Sequence, residues 1–232
     1  MDESPSFETG QPGNDSGSRP IAVVELVAAI GLLASGVLAG VDTYVVVLAG
    51  WLSLRLRRLR WADVGLRRPR RMLPVLLAAL VVGSAWVMFD AHVVEPWLQS
   101  VTGTPVDLSR FSGLVGNTGN YLLMLLVVWG LVAIGEELAY RGYLLNRLVD
   151  VFGSGRMAWA AALLVTSVVF GVAHGYQGLS GILATGYVGL GLGLLYLAGG
   201  RNLWLPILVH GVYDTVGLTL IYLGAYPAMA AS

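Results

Sequence analysis

Long apolar stretches separated by short polar turns dominate the pattern of this chain. Most of the stretches approach the ~20 residues that an α-helix needs to cross ~30 Å of hydrocarbon. The stretches cover approximately residues 21–40, 44–56, 72–92, 121–148, 157–174, 179–198 and 203–223. The pattern predicts an all-α fold, a polytopic transmembrane helix bundle with about seven or eight membrane helices.

The composition agrees with a lipid environment. Of the 232 residues, 56% are hydrophobic and only 12% are charged, and the mean hydropathy is +0.73. A soluble domain normally carries about 25% charged residues. We therefore expect a multi-pass protein of the cell membrane, with the lipid bilayer as its first partner.

The chain divides into three parts by composition. Residues 1–19 are polar and acidic and contain many Gly, Ser and Pro residues, so they predict a disordered leader. Residues 20–118 predict N-terminal membrane helices joined by an arginine-rich turn. Residues 119–225 predict a second group of helices, which holds the candidate chemistry.

The arginine-rich turn at 55–71 indicates the orientation. Its basic residues are Arg55, Arg57, Arg58, Arg60, Arg67, Arg68, Arg70 and Arg71. The positive-inside rule predicts that this turn is cytoplasmic and that the loop at 93–118 faces outward. We interpret the cluster as a topological signal rather than as a specific lipid or nucleic-acid site, and we expect no nucleic-acid partner.

Ionisable side chains at membrane depth are the candidates for function, because they are costly there. Four ionisable residues lie near the ends of predicted segments and need no special role: Glu25, Asp42, Asp90 and His92. The remaining set is Glu136, Glu137, Arg141, His174, His210 and Asp214. The chain has no cysteine, which excludes disulfides, thiolate metal sites and a cysteine nucleophile.

Two glutamates stand side by side in the fourth predicted segment. Glu137 and Arg141 are four residues apart and predict an ion pair on one helix face. Glu136 is then rotated by about 100° and has no arginine, which makes it the candidate general base. The alternative is that both glutamates share Arg141 and only hold helices together.

The histidines lie on two further segments. His174 ends the fifth segment, and His210 and Asp214 are four residues apart on one face of the seventh. At ~1.5 Å per residue, Glu136 and these three side chains would all lie roughly 12–26 Å from the cytoplasmic surface. Tilts and kinks of ordinary size would bring them to one buried layer.

In this arrangement the sequence resembles the CPBP (Abi) family of membrane proteases, which includes the type II CAAX prenyl endopeptidases. The family pattern is Glu-Glu-x-x-x-Arg, then Phe-x-x-x-His, then His-x-x-x-Asn or Asp. The chain has these motifs in order, at Glu136 to Arg141, Phe170 to His174 and His210 to Asp214. Residues 119–225 are then the catalytic helix core.

The resemblance implies a role for each matched residue. Glu136, with His174, would activate a water for attack on a peptide bond, and Glu137 and Arg141 would support it. His210 and Asp214 would stabilise the oxyanion. Asp at position 214 is a departure, because an ionised carboxylate repels developing negative charge whereas Asn donates a hydrogen bond.

The activity expected from the resemblance is intramembrane endopeptidase, a hydrolase of glutamic or metal-dependent type. We expect no cofactor, with zinc held by Glu136, His174 and His210 as the alternative. The substrate would be a peptide or protein segment, with or without a lipid modification: a CAAX-type substrate, or a small peptide or bacteriocin in a prokaryote. The rival hypothesis is a non-catalytic scaffold, or a proton-coupled transporter that uses the buried charges.

Overall fold

The computed structural model describes residues 18–37 and 41–230, and within these ranges every regular element is helical. The predicted leader therefore lies outside the described residues, apart from its last two positions. The principal helices are α1 (Ser18–Ser35), α2 (Asp42–Leu56), α3 (Met72–Thr102), α4 (Thr118–Phe152), α5 (Arg156–Ala173), α6 (Gly178–Ala198), α7 (Trp204–Tyr222) and α8 (Pro227–Ala230). Short 3₁₀ turns at Ser109–Leu114 and Gly175–Gln177 complete the described part.

Five of these helices, α3 to α7, are long and apolar enough to cross a membrane in the part of the chain that was described. The helix α2 has only 15 residues, and neither it nor α1 belongs to the five. The prediction of an all-helical, multi-pass membrane protein is thus confirmed. The predicted count of seven or eight membrane helices is not.

The helix α3 extends well beyond its predicted end. Residues 93–102, which we expected to belong to a loop, continue the helix as far as Thr102. The helix ends where Gly103 adopts a φ of +78°. A π-helical turn, Asp90–Val94, precedes Pro96, which sits in the first turn of the α-helical stretch that follows. Proline has no N–H to donate and often ends a helix, but the helix continues through Pro96.

This extension buries two carboxyl groups. Asp90, which we expected to border a loop, is 2% exposed, and its Oδ2 accepts a hydrogen bond from the Tyr213 hydroxyl at 2.8 Å. Glu95 is also buried and accepts from the Tyr226 hydroxyl at 2.7 Å. Burial and the neighbouring Glu95 charge raise the pKa of Tyr226, which therefore stays a donor. Both bonds tie α3 to the C-terminal part of the chain.

Close helix packing sets the distances within the bundle. A Cβ at Gly83 of α3 would lie 2.9 Å from the Val209 carbonyl oxygen of α7, so these helices approach closely. On α6, Gly189 lies against the Phe170 ring and Gly193 against Leu163, both on α5. Small residues at these positions let α5 and α6 approach closely.

The N-terminal helix is held to α4 by a polar contact. Glu25 of α1, for which we expected no special role, forms an ion pair. Its Oε2 lies 2.7 Å from Nε of Arg147, which is 2% exposed. The same oxygen accepts hydrogen bonds from the hydroxyls of Ser53 and Tyr143. A buried arginine needs carboxylate partners; Arg147 has Glu25 and, at 3.2 Å, Asp150. Glu25 therefore anchors α1 to the helix that carries the two glutamates.

Candidate active site

The predicted ion pair between Glu137 and Arg141 forms in the centre of α4. Arg141 Nη1 lies 2.7 Å from Glu137 Oε1, and neither side chain is appreciably exposed. Arg141 Nη2 also donates to the Gly189 carbonyl at 2.7 Å, so the guanidinium joins α4 to α6. Two π-helical turns, Val128–Val132 and Leu138–Leu145, flank the glutamates. Such turns are frequent at functional sites because they shift the direction of side chains.

Glu136 has the separate environment that its position predicts. Arg141 does not pair with it, and its side chain is 14% exposed. Its Oε2 is buried without a hydrogen-bond partner and lies 3.8 Å from His210 Nε2. The alternative in which both glutamates share Arg141 is therefore wrong for this structure.

His210 lies at the centre of a group of three carboxyl groups from two helices. Its Nδ1 is 3.0 Å from Glu137 Oε1, and its Nε2 is 3.5 Å from Asp214 Oδ2. A carboxylate only accepts hydrogen bonds, so Nδ1 carries a hydrogen and donates a hydrogen bond to Glu137. Glu137 thus orients both Arg141 and His210, while Glu136 and Asp214 face the other ring nitrogen.

His174 occupies the C-terminal end of α5, as the sequence predicts. Its Nδ1 donates to the Phe170 carbonyl at 2.8 Å, since a carbonyl oxygen can only accept, and this leaves Nε2 as the acceptor of the neutral ring. The Phe170 ring lies 4.8 Å from the His174 ring and 6.2 Å from the His210 ring. Within the described residues no hydrogen bond or ion pair joins His174 to Glu136; the Phe170 ring contacts both imidazoles.

A tyrosine that the motifs do not include lies beside this group. The Tyr176 ring is 5.8 Å from the His174 ring, and the hydroxyl is close enough to Glu136 and Asp214 to feel their charges. The Arg110 guanidinium lies over the Tyr176 ring, at 4.3 Å from the ring centre. Its position two residues after the Phe-x-x-x-His motif was the only available signal in the sequence.

The arrangement does not assemble the metal site considered above. In the ranges that the structure describes, no three His, Cys, Asp or Glu side chains converge so as to hold a metal ion. The Nδ1 atoms of His174 and His210 are hydrogen-bonded to Phe170 and Glu137, so only their Nε2 atoms could bind a metal ion. No chemical step is assigned to a metal ion.

The fold and the cluster define a helical membrane protein with a buried carboxylate–imidazole site. Residues 118–216 match the model of a family described as type II CAAX prenyl endopeptidase Rce1-like. The match includes all three motifs and supports the CPBP (Abi) family of membrane proteases, so the resemblance seen in the sequence is confirmed. The family implies a hydrolase with CAAX-protease-type activity in the membrane. Neither a curated protein nor a solved structure matches the chain.

Proposed function

We propose that this chain is an intramembrane endopeptidase in which Glu136 is the general base. The observation that carries the proposal is the environment of Glu136: Arg141 does not pair with it, and its buried Oε2 has no hydrogen-bond partner and faces His210 Nε2 at 3.8 Å. The adjacent Glu137 binds both Arg141 and His210 through Oε1, although its Oε2 is likewise buried without a hydrogen-bond partner. One carboxylate thus builds the site, and the other is available to accept a proton.

The proposed reaction uses these side chains. The Glu136 carboxylate accepts a proton from a water molecule, with His174 Nε2 as a second acceptor for that water. The water oxygen forms a bond to the scissile carbonyl carbon, and the carbon–nitrogen bond then breaks. The proton held by Glu136 passes to the leaving nitrogen, so the products are a carboxylic acid and an amine.

His210 supports the oxyanion in this proposal. Glu137 holds Nδ1, so in its cationic form the ring presents Nε2–H to the developing negative charge. Asp214 lies 3.5 Å from the same nitrogen and serves to hold the imidazolium, instead of donating as the asparagine of the family pattern does. The departure at position 214 is then accommodated by His210.

The substrate class we propose is a peptide or protein segment that enters the helix bundle. The matched family is named for prenylated CAAX substrates. For this chain the proposal requires only a peptide bond at the carboxylate–imidazole group, so lipid-modified substrates and small unmodified peptides are both covered by it.

The proposal is tested by comparing peptide fragments from membranes that contain the wild-type chain or the His210→Asn variant. The Asn side chain can still donate to Glu137 but has no counterpart of Nε2, so we expect fragments specific to the wild type to disappear. The matched control is His92→Asn, because His92 is exposed and bonds only the Met88 carbonyl. If both variants release the wild-type fragments, the release does not depend on His210, and the proposed site is wrong.

A metal-free reaction predicts that chelators have no effect. We expect the rate of fragment release to be unchanged after treatment with 1,10-phenanthroline, because no metal-holding group converges at the site in the described part of the chain. The measurement is the release rate before and after chelation, together with the zinc content of the purified protein. A loss of activity that zinc alone restores would contradict the metal-free mechanism.

A further inference from the structure

A long apolar groove runs between α1 and α2, away from the carboxylate–imidazole site. It encloses a cavity of about 610 Å³, which lies within the roughly 300–1,000 Å³ of typical ligand pockets. Its walls extend from Pro20 to Leu32 on α1 and from Val45 to Leu56 on α2. At ~1.5 Å per residue the α1 wall is roughly 18 Å long, close to the ~15 Å depth of one leaflet of a ~30 Å hydrocarbon layer.

The groove is suited to a hydrocarbon chain along its whole length. Its lining is apolar except at Glu25, Ser53 and Tyr143, and these three are hydrogen-bonded to one another. The Glu25 charge is further balanced by Arg147 at 2.7 Å. No unbalanced charge from this group therefore faces the cavity, and an acyl chain would meet no uncompensated polar group there.

Three arginines lie close in the sequence to the residues at one end of the groove. Pro20 and Leu56 line that end, and Arg19, Arg55 and Arg58 are within two residues of them, although they do not themselves line the cavity. All three arginines are exposed, and none belongs to an ion pair within the described residues. The Arg55 guanidinium lies 5.7 Å from the centre of the exposed Trp51 ring. Tryptophan and arginine together are typical of the interface between hydrocarbon and headgroups.

Arg58 occupies a backbone position that favours glycine. Its φ is +60°, and it closes α2 together with a hydrogen bond of 2.7 Å from the Leu59 N–H to the Leu54 carbonyl. Left-handed conformations are unfavourable for residues with a side chain. An arginine at this point places a cation directly after the helix end, beside the opening of the groove.

We propose that this groove is a binding site for an anionic phospholipid. One acyl chain lies between α1 and α2, and Arg55 and Arg58 bind the headgroup phosphate. The groove has about the length of one leaflet and its interior is apolar, so the arginines at the end of α2 would lie at the level of that leaflet's headgroups. Tyr143, which lines the groove, belongs to α4, so the bound lipid contacts the helix that carries Glu136.

The headgroup contact is tested with purified full-length protein and two lipids that share the same chains, dioleoyl phosphatidylglycerol and dioleoyl phosphatidylcholine. Native mass spectrometry measures how much of each lipid stays bound. We expect wild-type protein to retain phosphatidylglycerol preferentially. The Arg55→Gln/Arg58→Gln variant should bind it roughly 30-fold more weakly, since each basic residue near an anionic surface contributes about a fivefold factor.

The matched control is Arg68→Gln/Arg70→Gln, which removes the same charge from exposed positions of the same turn. It should bind phosphatidylglycerol as the wild type does. An equal loss in both double variants would mean that the turn attracts anionic lipid only diffusely and would overturn the proposed site. Equal retention of both lipids by the wild type would also overturn it.

The chain contact is tested by filling the groove. Ala28→Trp places a large side chain on its α1 wall, whereas Ala78→Trp does so on the lipid-exposed surface of α3. Only Ala28→Trp should reduce retention of phosphatidylglycerol. If Ala28→Trp does not give monodisperse protein, Ala49→Phe on the α2 wall is the second test. Wild-type retention by a folded groove variant would overturn the position of the acyl chain.

Discussion

Replacing Glu136 by Gln should lower the rate of peptide cleavage by roughly 10²–10⁴-fold, the usual contribution of a general base. Gln has the same shape, but its amide cannot accept a proton from water. The free energy of unfolding should change little, because Glu136 forms no ion pair with Arg141 and its Oε2 has no hydrogen bond to lose. The measurement is the initial rate of release of a fragment that only the wild-type membranes produce, by quantitative mass spectrometry.

The control for this prediction is Glu95→Gln. Glu95 is also a buried glutamate of a membrane helix, but it bonds Tyr226 and lies outside the carboxylate–imidazole group. Its variant should cleave at the wild-type rate. A similar loss in both variants would show that the activity responds to any buried carboxyl group, and an active Glu136→Gln would remove Glu136 as the base.

Replacing Arg141 by Met should destabilise the protein by about 3–5 kcal/mol, because it leaves a buried carboxylate without its cation. Glu137 is completely buried, and Arg141 also bonds the Gly189 carbonyl of α6. The change therefore removes a charge balance and a link between two helices. The measurement is the free energy of unfolding in detergent micelles, followed by tryptophan fluorescence.

The double variant Glu137→Gln/Arg141→Met separates charge balance from shape. It removes both charges of the pair, so most of the lost stability should return. Cleavage should stay low, because the neutral Gln holds His210 Nδ1 less firmly than a carboxylate does. A single Arg141→Met variant as stable as the wild type would show that the buried pair does not hold the fold.

Much of the site could be predicted from local spacing. The pair Glu137–Arg141 lies within one helix, where four residues make about one turn, so helix geometry alone brings the side chains together. The same reasoning separated Glu136 from Arg141. The cytoplasmic position of the arginine-rich turn and the boundary between residues 20–118 and 119–225 stay predictions.

Other features could not be predicted because they depend on contacts between helices. The hydrogen bond from His210 to Glu137 joins α7 to α4, and no sequence spacing relates those two positions. Asp214 lies four residues from His210 on the same helix, yet the structure gives His210 the shorter contact to Glu137. Burial of Asp90 and Glu95 follows from the unexpected continuation of α3 through a π-helical turn.

The sequence by itself determined the surrounding medium, the helical class and the local ion pair. Apolar runs can be satisfied only in lipid, and in lipid a backbone must form its hydrogen bonds within each segment. The tertiary structure decided which nitrogen of His210 faces which carboxyl group, and which helices are long enough to cross the membrane. Close approaches such as Gly83 on Val209 and Gly189 on Phe170 set the distances between helices, and those distances arise from packing rather than from spacing along the chain.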